Sequence, residues 1–293
     1  MTGPKPEWLR KVIRDTPEHR ALGARFKALS LHTVCREANC PNRSECFTNG
    51  NATFLILGDV CSRHCTFCNV QKGRPDAPDP TEPERVARAV AELGLRHAVI
   101  TSVTRDDLSD GGARFFADTI RWIRELTPTI TMEVLIPDFA GDPDALQSVI
   151  QARPHIINHN LETVPRLYAE VRPGADFNRS LTVLSRVKAA APGIHTKSGI
   201  MVGLGETKEE VREVLSALRR AGCEMLTIGQ YLAPSRSHYP VKEYVHPDCY
   251  IMYAEWAREL GFRAVAAGPF VRSSYQAARV YREISEPGSV PFP

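Results

Sequence analysis

The 293-residue sequence has no apolar run long enough to cross a bilayer, and its opening, "MTGPKPEWLR", lacks the apolar core of a secretory leader. The expectation is a cytoplasmic protein with no membrane partner. An excess of either charge sign is missing too. A formal net charge of +3 leaves no electrostatic footprint for nucleic acid or an anionic lipid surface. No G-x-G-x-x-G follows the first predicted strand, which weakens the case for an open doubly wound sheet. Internal repeats and low-complexity segments are also missing. What remains is an ordinary globular composition, 43% hydrophobic and 24% charged, sufficient for one large α/β domain or two small ones.

Cysteine is the departure. Eight cysteines in a chain of this length do not describe a secreted disulfide scaffold, and six of them fall between positions 35 and 68. Clustered thiols in a reducing compartment point to metal or redox chemistry. Cys223 and Cys249 stand apart on helical segments and read as ordinary core or surface residues.

Short apolar runs alternate with amphipathic patterns. Strands are expected at 53–58, 97–102, 130–136, 155–160, 195–203 and 224–229, with a further strand-like run, "FRAVAA", after a helix at about 248–260. Capping boxes are expected at Thr81 with Glu84 and at Thr207 with Glu210, and Asp142 before Pro143 reads as a cap and first helical residue. Val211, Val214, Leu215 and Leu218 give one helix an apolar stripe. Repeated strand–helix units need long crossovers between parallel strands, so the fold class is α/β. Six or so units suit a partial (β/α)6 TIM-like barrel better than a complete one. Residues 1–50 lack this rhythm and form an N-terminal extension, 51–270 the barrel, and 271–293 a C-terminal extension whose tail after 275 looks irregular.

Cys61, Cys65 and Cys68, in "CSRHCTFC", come directly after the first barrel strand, at the end where barrel active sites are built. On spacing alone zinc stays open, with His64 as a fourth ligand, although adjacent residues reach one tetrahedral ion poorly. A disulfide would leave one thiol over. An iron–sulfur cluster on three thiolates leaves one iron free for another ligand.

The run C-x₃-C-x-aromatic-C, with Phe67 as the aromatic, resembles the signature of the radical S-adenosylmethionine superfamily. The resemblance implies a 4Fe–4S cluster on Cys61, Cys65 and Cys68, S-adenosylmethionine on its open iron, and Phe67 near the adenine. "GIMVGLGE" (199–206) resembles the superfamily's adenine-contact motif, with Met201 in place of the usual isoleucine. Alone, its glycines would also serve close packing. Thr104, in "TSVTRDD", occupies the place that implies contact with the methionine amino group. Asn158, Asn160 and Glu162 end the fourth strand, where the ribose hydroxyls lie in that family. Glu133 and Lys197 are charged residues within strands expected to be buried on both faces. They should meet a polar cofactor or each other, because unpaired burial is costly.

Cys35, Cys40 and Cys46 are spaced C-x₄-C-x₅-C, wider than a common zinc knuckle and unlike either ferredoxin run. A structural zinc site stays open on that spacing. Taken with the second triplet, the arrangement is similar to that of the lipoyl synthase family. The likeness continues through "KPEWLR", "LHTVCREANCPN", "TSVTRDDLSDGGA", "EVLIPDF", "NHNLETV", "QYLAPSRSHYPV" and "GPFVRSSY". It implies an auxiliary 4Fe–4S cluster on Cys35, Cys40, Cys46 and Ser274, the second serine of "RSSY", with Arg272 neutralising cluster charge or binding a carboxylate. An alkoxide holds iron less firmly than thiolate does, which suits a cluster meant to come apart.

The activity implied is insertion of two sulfur atoms at carbons 6 and 8 of an octanoyl chain on a lysine of a lipoyl carrier domain or protein. Unactivated C–H bonds have no acidic proton, so a radical cofactor is needed to open them. The auxiliary cluster is the implied sulfur donor. An electron donor and an iron–sulfur carrier to rebuild that cluster are further implied partners. Another radical sulfur-inserting enzyme with an auxiliary cluster is the alternative. A non-catalytic zinc or electron-transfer scaffold would need neither a barrel nor "GIMVGLGE".

Overall fold

The apolar runs become strands in the computed structural model, which describes residues 4–11, 16–49 and 51–286. The first three residues of the opening segment, and 287–293 of the expected C-terminal extension, lie outside the described residues. Among the described residues two compact units form, one from 16–64 with 69–157, the other from 4–11, 65–68 and 158–286.

The first unit starts with α1 (Pro17–Ala28), β1 (His32–Thr33), α2 (Val34–Glu37) and α3 (Arg43–Thr48). The barrel pattern then begins with β2 (Thr53–Ile56), followed by a small ribbon of β3 (Val60–Cys61) and β4 (Gln71–Lys72). It continues through α4 (Glu82–Glu92), β5 (His97–Ser102), α5 (Ala113–Leu126), β6 (Thr131–Leu135) and α6 (Pro143–Gln151). β2, β5 and β6 pair in parallel, with Thr53 opposite Val99 and His97 opposite Thr131. All four residues of β2 are buried, as a strand covered on both faces requires. The helices supply the cover: Val86, Val90, Phe116, Ile120 and Ile123 are buried at helical spacing.

The N-terminal extension is more ordered than its lack of rhythm suggests. Thr16 caps α1 by accepting from the His19 N–H at 3.2 Å. Phe26 of that helix meets Phe54 of β2 edge-on at 5.5 Å, and β1 pairs antiparallel with β2. The capping box expected at Thr81 and Glu84 does not form. Thr81 has a helical backbone, its hydroxyl donates to Asp79 at 2.7 Å, and Glu84 pairs with Arg88 one turn on. Asp142 does cap α6, accepting from the N–H groups of Asp144 and Ala145.

β7 (Ile156–Asn158) ends where the second unit takes up the chain. There follow α7 (Tyr168–Val171), α8 (Phe177–Ala190), β8 (His195–Val202), α9 (Lys208–Arg220), β9 (Met225–Gln230), α10 (Pro247–Glu259), β10 (Ala264–Gly268) and α11 (Ala277–Ser285). β8, β9 and β10 are parallel, and Met225 lies opposite both Lys197 and Ala264. α9 opens with the expected capping box: Thr207 Oγ1 accepts from the Glu210 N–H at 3.2 Å and Glu210 accepts from the Thr207 N–H at 2.8 Å. Its stripe of Val211, Val214, Leu215 and Leu218 is fully buried. Cys223 lies between α9 and β9, not on a helix, and is buried in the same core. α11 corrects the expectation of an irregular tail, with Ala277, Val280 and Ile284 buried along one side. Among the described residues, no helix is long and apolar enough to cross a membrane.

Glu224, just before β9, binds this unit at the N-terminal end of its strands. It accepts from Lys188 and Arg263 at 2.9 Å each and lies 3.2 Å from His195 Nδ1. Burial alone would raise its carboxyl, but these three partners outweigh burial and hold it well below the usual carboxylate range. A depressed folded pKa adds stability above the unfolded value of about 4.3 and loses it as pH falls. Glu224→Gln is therefore expected to cost about 2 kcal/mol at pH 7. In urea unfolding the gap between native and variant should narrow steadily as pH falls below about 4, and a gap independent of pH would contradict the assignment.

Candidate functional site

β2 ends in a left-handed turn, Leu57 at φ +68° and Gly58 at φ +86°. The buried Glu82 carboxylate steadies it, accepting from the Leu57 N–H at 2.7 Å. The turn delivers the chain through β3 to Cys61. Here the segment after β5 takes hold. The Thr104 N–H donates to Cys61 Sγ at 3.3 Å, while Ser62 donates its N–H and hydroxyl to the Thr104 carbonyl at 3.0 and 2.9 Å. The Asp106 N–H donates to the Ser62 hydroxyl at 3.0 Å. The Thr104 N–H contact fixes where the Cys61 sulfur stands.

Arg63, which the sequence did not mark, clamps this half of the loop. Its guanidinium forks onto both Asp106 oxygens at 2.7 and 2.8 Å and reaches Asp138 at 2.6 Å. The Arg63 side chain is 9% exposed and that of Asp138 0%. Arg63→Met would leave the Asp138 charge buried without its cation, at about 3 kcal/mol or more. A shift in the Cys61 position should also slow any chemistry there at least about tenfold. Thermal unfolding and the rate of the S-adenosylmethionine cleavage that the sequence resemblance implies together check this; native values of both would contradict it.

Cys65–Cys68 belong to the other unit and are held by its own loops. Thr66 donates its N–H to the Val171 carbonyl at 3.0 Å and its hydroxyl to the Glu170 carbonyl at 2.8 Å. The Tyr239 N–H returns a bond to the Thr66 carbonyl at 2.9 Å, and His238 Nε2 lies 3.2 Å from the Cys68 carbonyl. Phe67 and Met201, the two apolar side chains the sequence singled out as cofactor contacts, are each partly buried against this unit's hydrophobic core.

Arg172, after α7, was not anticipated from spacing or alternation. Its Nη1 donates to the carbonyls of Asn160 and Leu161 at 3.0 and 3.1 Å and to the Tyr168 hydroxyl at 3.1 Å. Its charge acts on Glu162 and on Cys65, and its buried Nε has no hydrogen-bond partner. A buried donor left open in this way is suited to an anionic ligand group.

The end of β7 carries the polar residues expected to meet ribose. Asn158 is fully buried, Asn160 is 9% exposed, and Asn160 Nδ2 donates to Glu162 Oε1 at 2.9 Å. Burial pushes the Glu162 carboxyl up, against the opposing pull of Arg172, Asn160 and Arg272. Gly199 of β8 makes room for this cluster: a Cβ there would stand 2.5 Å from Thr227 Oγ1 and 3.0 Å from Asn160 Oδ1. Gly203 is at φ +94°, and the Glu206 carboxylate accepts from the N–H groups of Gly203 and Leu204 at 2.6 and 2.9 Å. The last residue of "GIMVGLGE" therefore ties down its own turn.

Glu133 and Lys197 are both fully buried, as expected for these strands. Glu133 has His97 of β5 at 3.5 Å. Arg272 donates to the Val271 carbonyl at 2.7 Å, and Ser274 stands in the turn before α11, where its carbonyl accepts from the Ala277 N–H at 3.3 Å.

In the N-terminal triplet, Cys35 lies on α2, Cys46 on α3 and Cys40 between them. The Cys40 N–H donates to the Cys35 carbonyl at 3.2 Å, and Asn39 takes a left-handed φ of +48° to turn the chain. Burial raises the Cys35 thiol to about 11, so a metal bound there would have to drive off its proton. Asn69, just past the other triplet, donates to the Glu37 carbonyl at 2.9 Å. None of the eight cysteines, all of them described residues, is in a disulfide. Among the described residues, three metal-ligating atoms fall within 4.8 Å of one another only at His32, Glu37 and Asp59.

Comparison with known proteins gives one consistent result. The family model described as "Radical SAM superfamily" matches residues 55–229. The lipoyl synthase of Caldicellulosiruptor saccharolyticus is 56% identical over 277 residues, 94% of this chain and 97% of that protein. The lipoyl synthase of Geobacter sulfurreducens is 57% identical over 274 residues, 94% of this chain and 90% of that protein. Among solved structures, coproporphyrinogen III oxidase from Escherichia coli, a radical SAM enzyme, covers 77% of this chain and 58% of its own at a TM-score of 0.54 and 14% identity. That last likeness is one of fold alone. It gives the TIM-like partial barrel expected from the strand–helix rhythm and sets aside the open doubly wound sheet.

Proposed function

The chain belongs to the lipoyl synthase family of the radical S-adenosylmethionine superfamily, and from that premise we propose that its two cysteine triplets divide the reaction between them. The activity is insertion of two sulfur atoms at carbons 6 and 8 of a protein-bound octanoyl-lysine, with S-adenosylmethionine and two 4Fe–4S clusters as cofactors. The observation that carries this reading is the presence of both triplets in a chain that matches lipoyl synthases over 94% of its length.

Cys61, Cys65 and Cys68 would hold the cluster that S-adenosylmethionine joins. When bound, that pair supplies a one-electron cleavage and an adenosyl radical able to take hydrogen from an unactivated carbon. The chain's part is position and polarity. The Thr104 N–H donates to Cys61 Sγ, and the Arg63 clamp fixes the loop that carries it. Phe67 and Met201 offer an apolar seat for adenine, and Asn160 and Glu162 offer hydrogen bonds to ribose. Arg172, with its buried open Nε, is suited to the cofactor's carboxylate. Glu133 and Lys197, each fully buried, are assigned as further cofactor contacts.

Cys35, Cys40 and Cys46, with Ser274, are assigned to the auxiliary cluster, which serves as a consumed sulfur donor. Arg272 is assigned to charge neutralisation near it. Residues 1–50 and 271–293 act as extensions carrying these ligands, and 51–270 as the barrel. The substrate is an octanoylated lipoyl carrier protein. An electron donor and an iron–sulfur carrier complete the partners we propose, in a cytoplasmic setting that keeps free thiols reduced.

The test is anaerobic incubation of reconstituted protein with an octanoylated lipoyl-domain peptide, reductant and S-adenosylmethionine, followed by mass measurement. A gain of two sulfurs is expected, each replacing a hydrogen on a substrate carbon and carrying a proton as the dithiol. Peptide recovered unchanged alongside cleaved S-adenosylmethionine would contradict it.

A further inference from the structure

Ser273 stands one residue before the proposed iron ligand. Its hydroxyl is held from two sides. Asn158 Nδ2 donates to Ser273 Oγ at 2.6 Å, and Ser273 Oγ donates to Asn160 Oδ1 at 3.1 Å. Asn160 then donates through Nδ2 to Glu162 Oε1 at 2.9 Å. A serine hydroxyl has one proton, so accepting from Asn158 and giving to Asn160 fixes its rotor. The bonds run in one direction, from Asn158 through Ser273 and Asn160 to Glu162. Asn158 is fully buried and Asn160 nearly so, and in that low dielectric each bond strengthens the next.

The backbone on either side is held too. Gly229 of β9 passes so close to the Val271 carbonyl that a Cβ there would collide with it. The Tyr275 N–H donates to the Arg272 carbonyl at 2.9 Å, which closes a turn over Ser273 and Ser274. Lys11 lies over the rings of Phe270 and Tyr275, at 5.1 and 5.6 Å. The loop is anchored before and after the serine pair, and Ser273 joins it to the strand end that carries Asn160 and Glu162.

We infer that Ser273 is a positioning residue, coupling the side chains that face the cofactor to the placement of Ser274. The inference rests on the reading of Asn160 and Glu162 as cofactor contacts and of Ser274 as an auxiliary-cluster ligand. When the cofactor draws on Asn160 or Glu162, the change passes along the chain to the Ser273 hydroxyl. From there a single peptide unit carries it to Ser274. The weak oxygen ligand is then presented in step with cofactor occupancy, so that sulfur becomes available when hydrogen abstraction can follow.

The experiment uses reconstituted native enzyme, Ser273→Ala and Ser273→Thr. It reads the Mössbauer component of the auxiliary cluster with and without S-adenosylmethionine, and the ratio of 5′-deoxyadenosine to sulfur-inserted product. Native enzyme and Ser273→Thr, which keeps the hydroxyl, should both show an auxiliary component that responds to S-adenosylmethionine. Ser273→Ala should lose that response and waste cofactor, raising the ratio about tenfold. A native ratio and response in Ser273→Ala, or no response in native enzyme, overturns the inference. If Ser273→Ala does not fold with its cluster, Asn158→Ala interrupts the same chain outside the motif, and a native ratio there overturns it equally. The underlying reading fails separately: an unchanged auxiliary component in Ser274→Ala removes the ligand assignment, whatever Ser273 does.

Discussion

Replacing Cys61, Cys65 or Cys68 by alanine is expected to abolish 5′-deoxyadenosine formation, while replacing Cys35, Cys40 or Cys46 leaves cleavage and removes sulfur insertion. The asymmetry follows from the division of labour between the triplets. Cys61 sits in a loop held by Thr104, Ser62 and Arg63, and Cys65–Cys68 in a segment held by Val171 and Tyr239. On the proposed assignment, losing one thiolate there would remove the site of cofactor reduction, and with it an acceleration of at least about 10⁶-fold. The N-terminal triplet lies on α2, α3 and their connection, away in sequence from that loop. Its alanine variants should retain cleavage within about tenfold of native, the range of an indirect positional effect. Chromatography of 5′-deoxyadenosine and product from the six variants checks this. Lipoyl product from any variant of the second triplet would show that cluster to be unnecessary.

Ser274→Cys is expected to retain the auxiliary cluster and to slow or block sulfur transfer, whereas Ser274→Ala should weaken retention of the cluster itself. The reason is ligand strength. Thiolate holds iron more firmly than a serine oxygen does, so a cysteine closes the corner that must open as sulfur leaves. Alanine offers no ligand atom. Iron and sulfide analysis should fall toward one cluster per chain in the alanine variant and stay at two in the cysteine variant. Single-turnover product formation should be impaired in both. Native kinetics in the pair would remove Ser274 from the ligand set.

The strands were legible because parallel strands buried on both faces read as short apolar runs: "HAVITS" became β5 at its predicted bounds, and "FRAVAA" yielded β10. α9 was legible from its cap to its stripe. Thr81 misled because the residue types of a capping box do not set its backbone, and Asp79 captured the hydroxyl. α11 was missed because its nine residues follow a left-handed Gln276 and bury only Ala277, Val280 and Ile284. Helix α1 and strand β1 were missed for a related reason. Their burial comes from long-range contacts such as Phe26 on Phe54, which no local period announces.

The candidate site divides in the same way. Cysteines declare themselves by spacing, since ligand geometry constrains how many residues lie between them. Arg63 and Arg172 could not be read in this way. An arginine in a loop is ordinarily a solvated charge, and only folding brings Asp106 and Asp138 to the one and Tyr168 and Asn160 to the other. Ser273 was visible in "RSSY", but its bonds to Asn158 and Asn160 join residues more than a hundred positions apart.

The central claim is that the auxiliary cluster gives up its own sulfur, and isotope transfer tests it most directly. Both clusters are built with heavy-isotope sulfide, excess sulfide is removed, and the enzyme is given octanoylated lipoyl-domain peptide, reductant and S-adenosylmethionine in unlabelled buffer. The account predicts product carrying two heavy sulfurs and a single product per enzyme molecule. Product carrying two light sulfurs would contradict it.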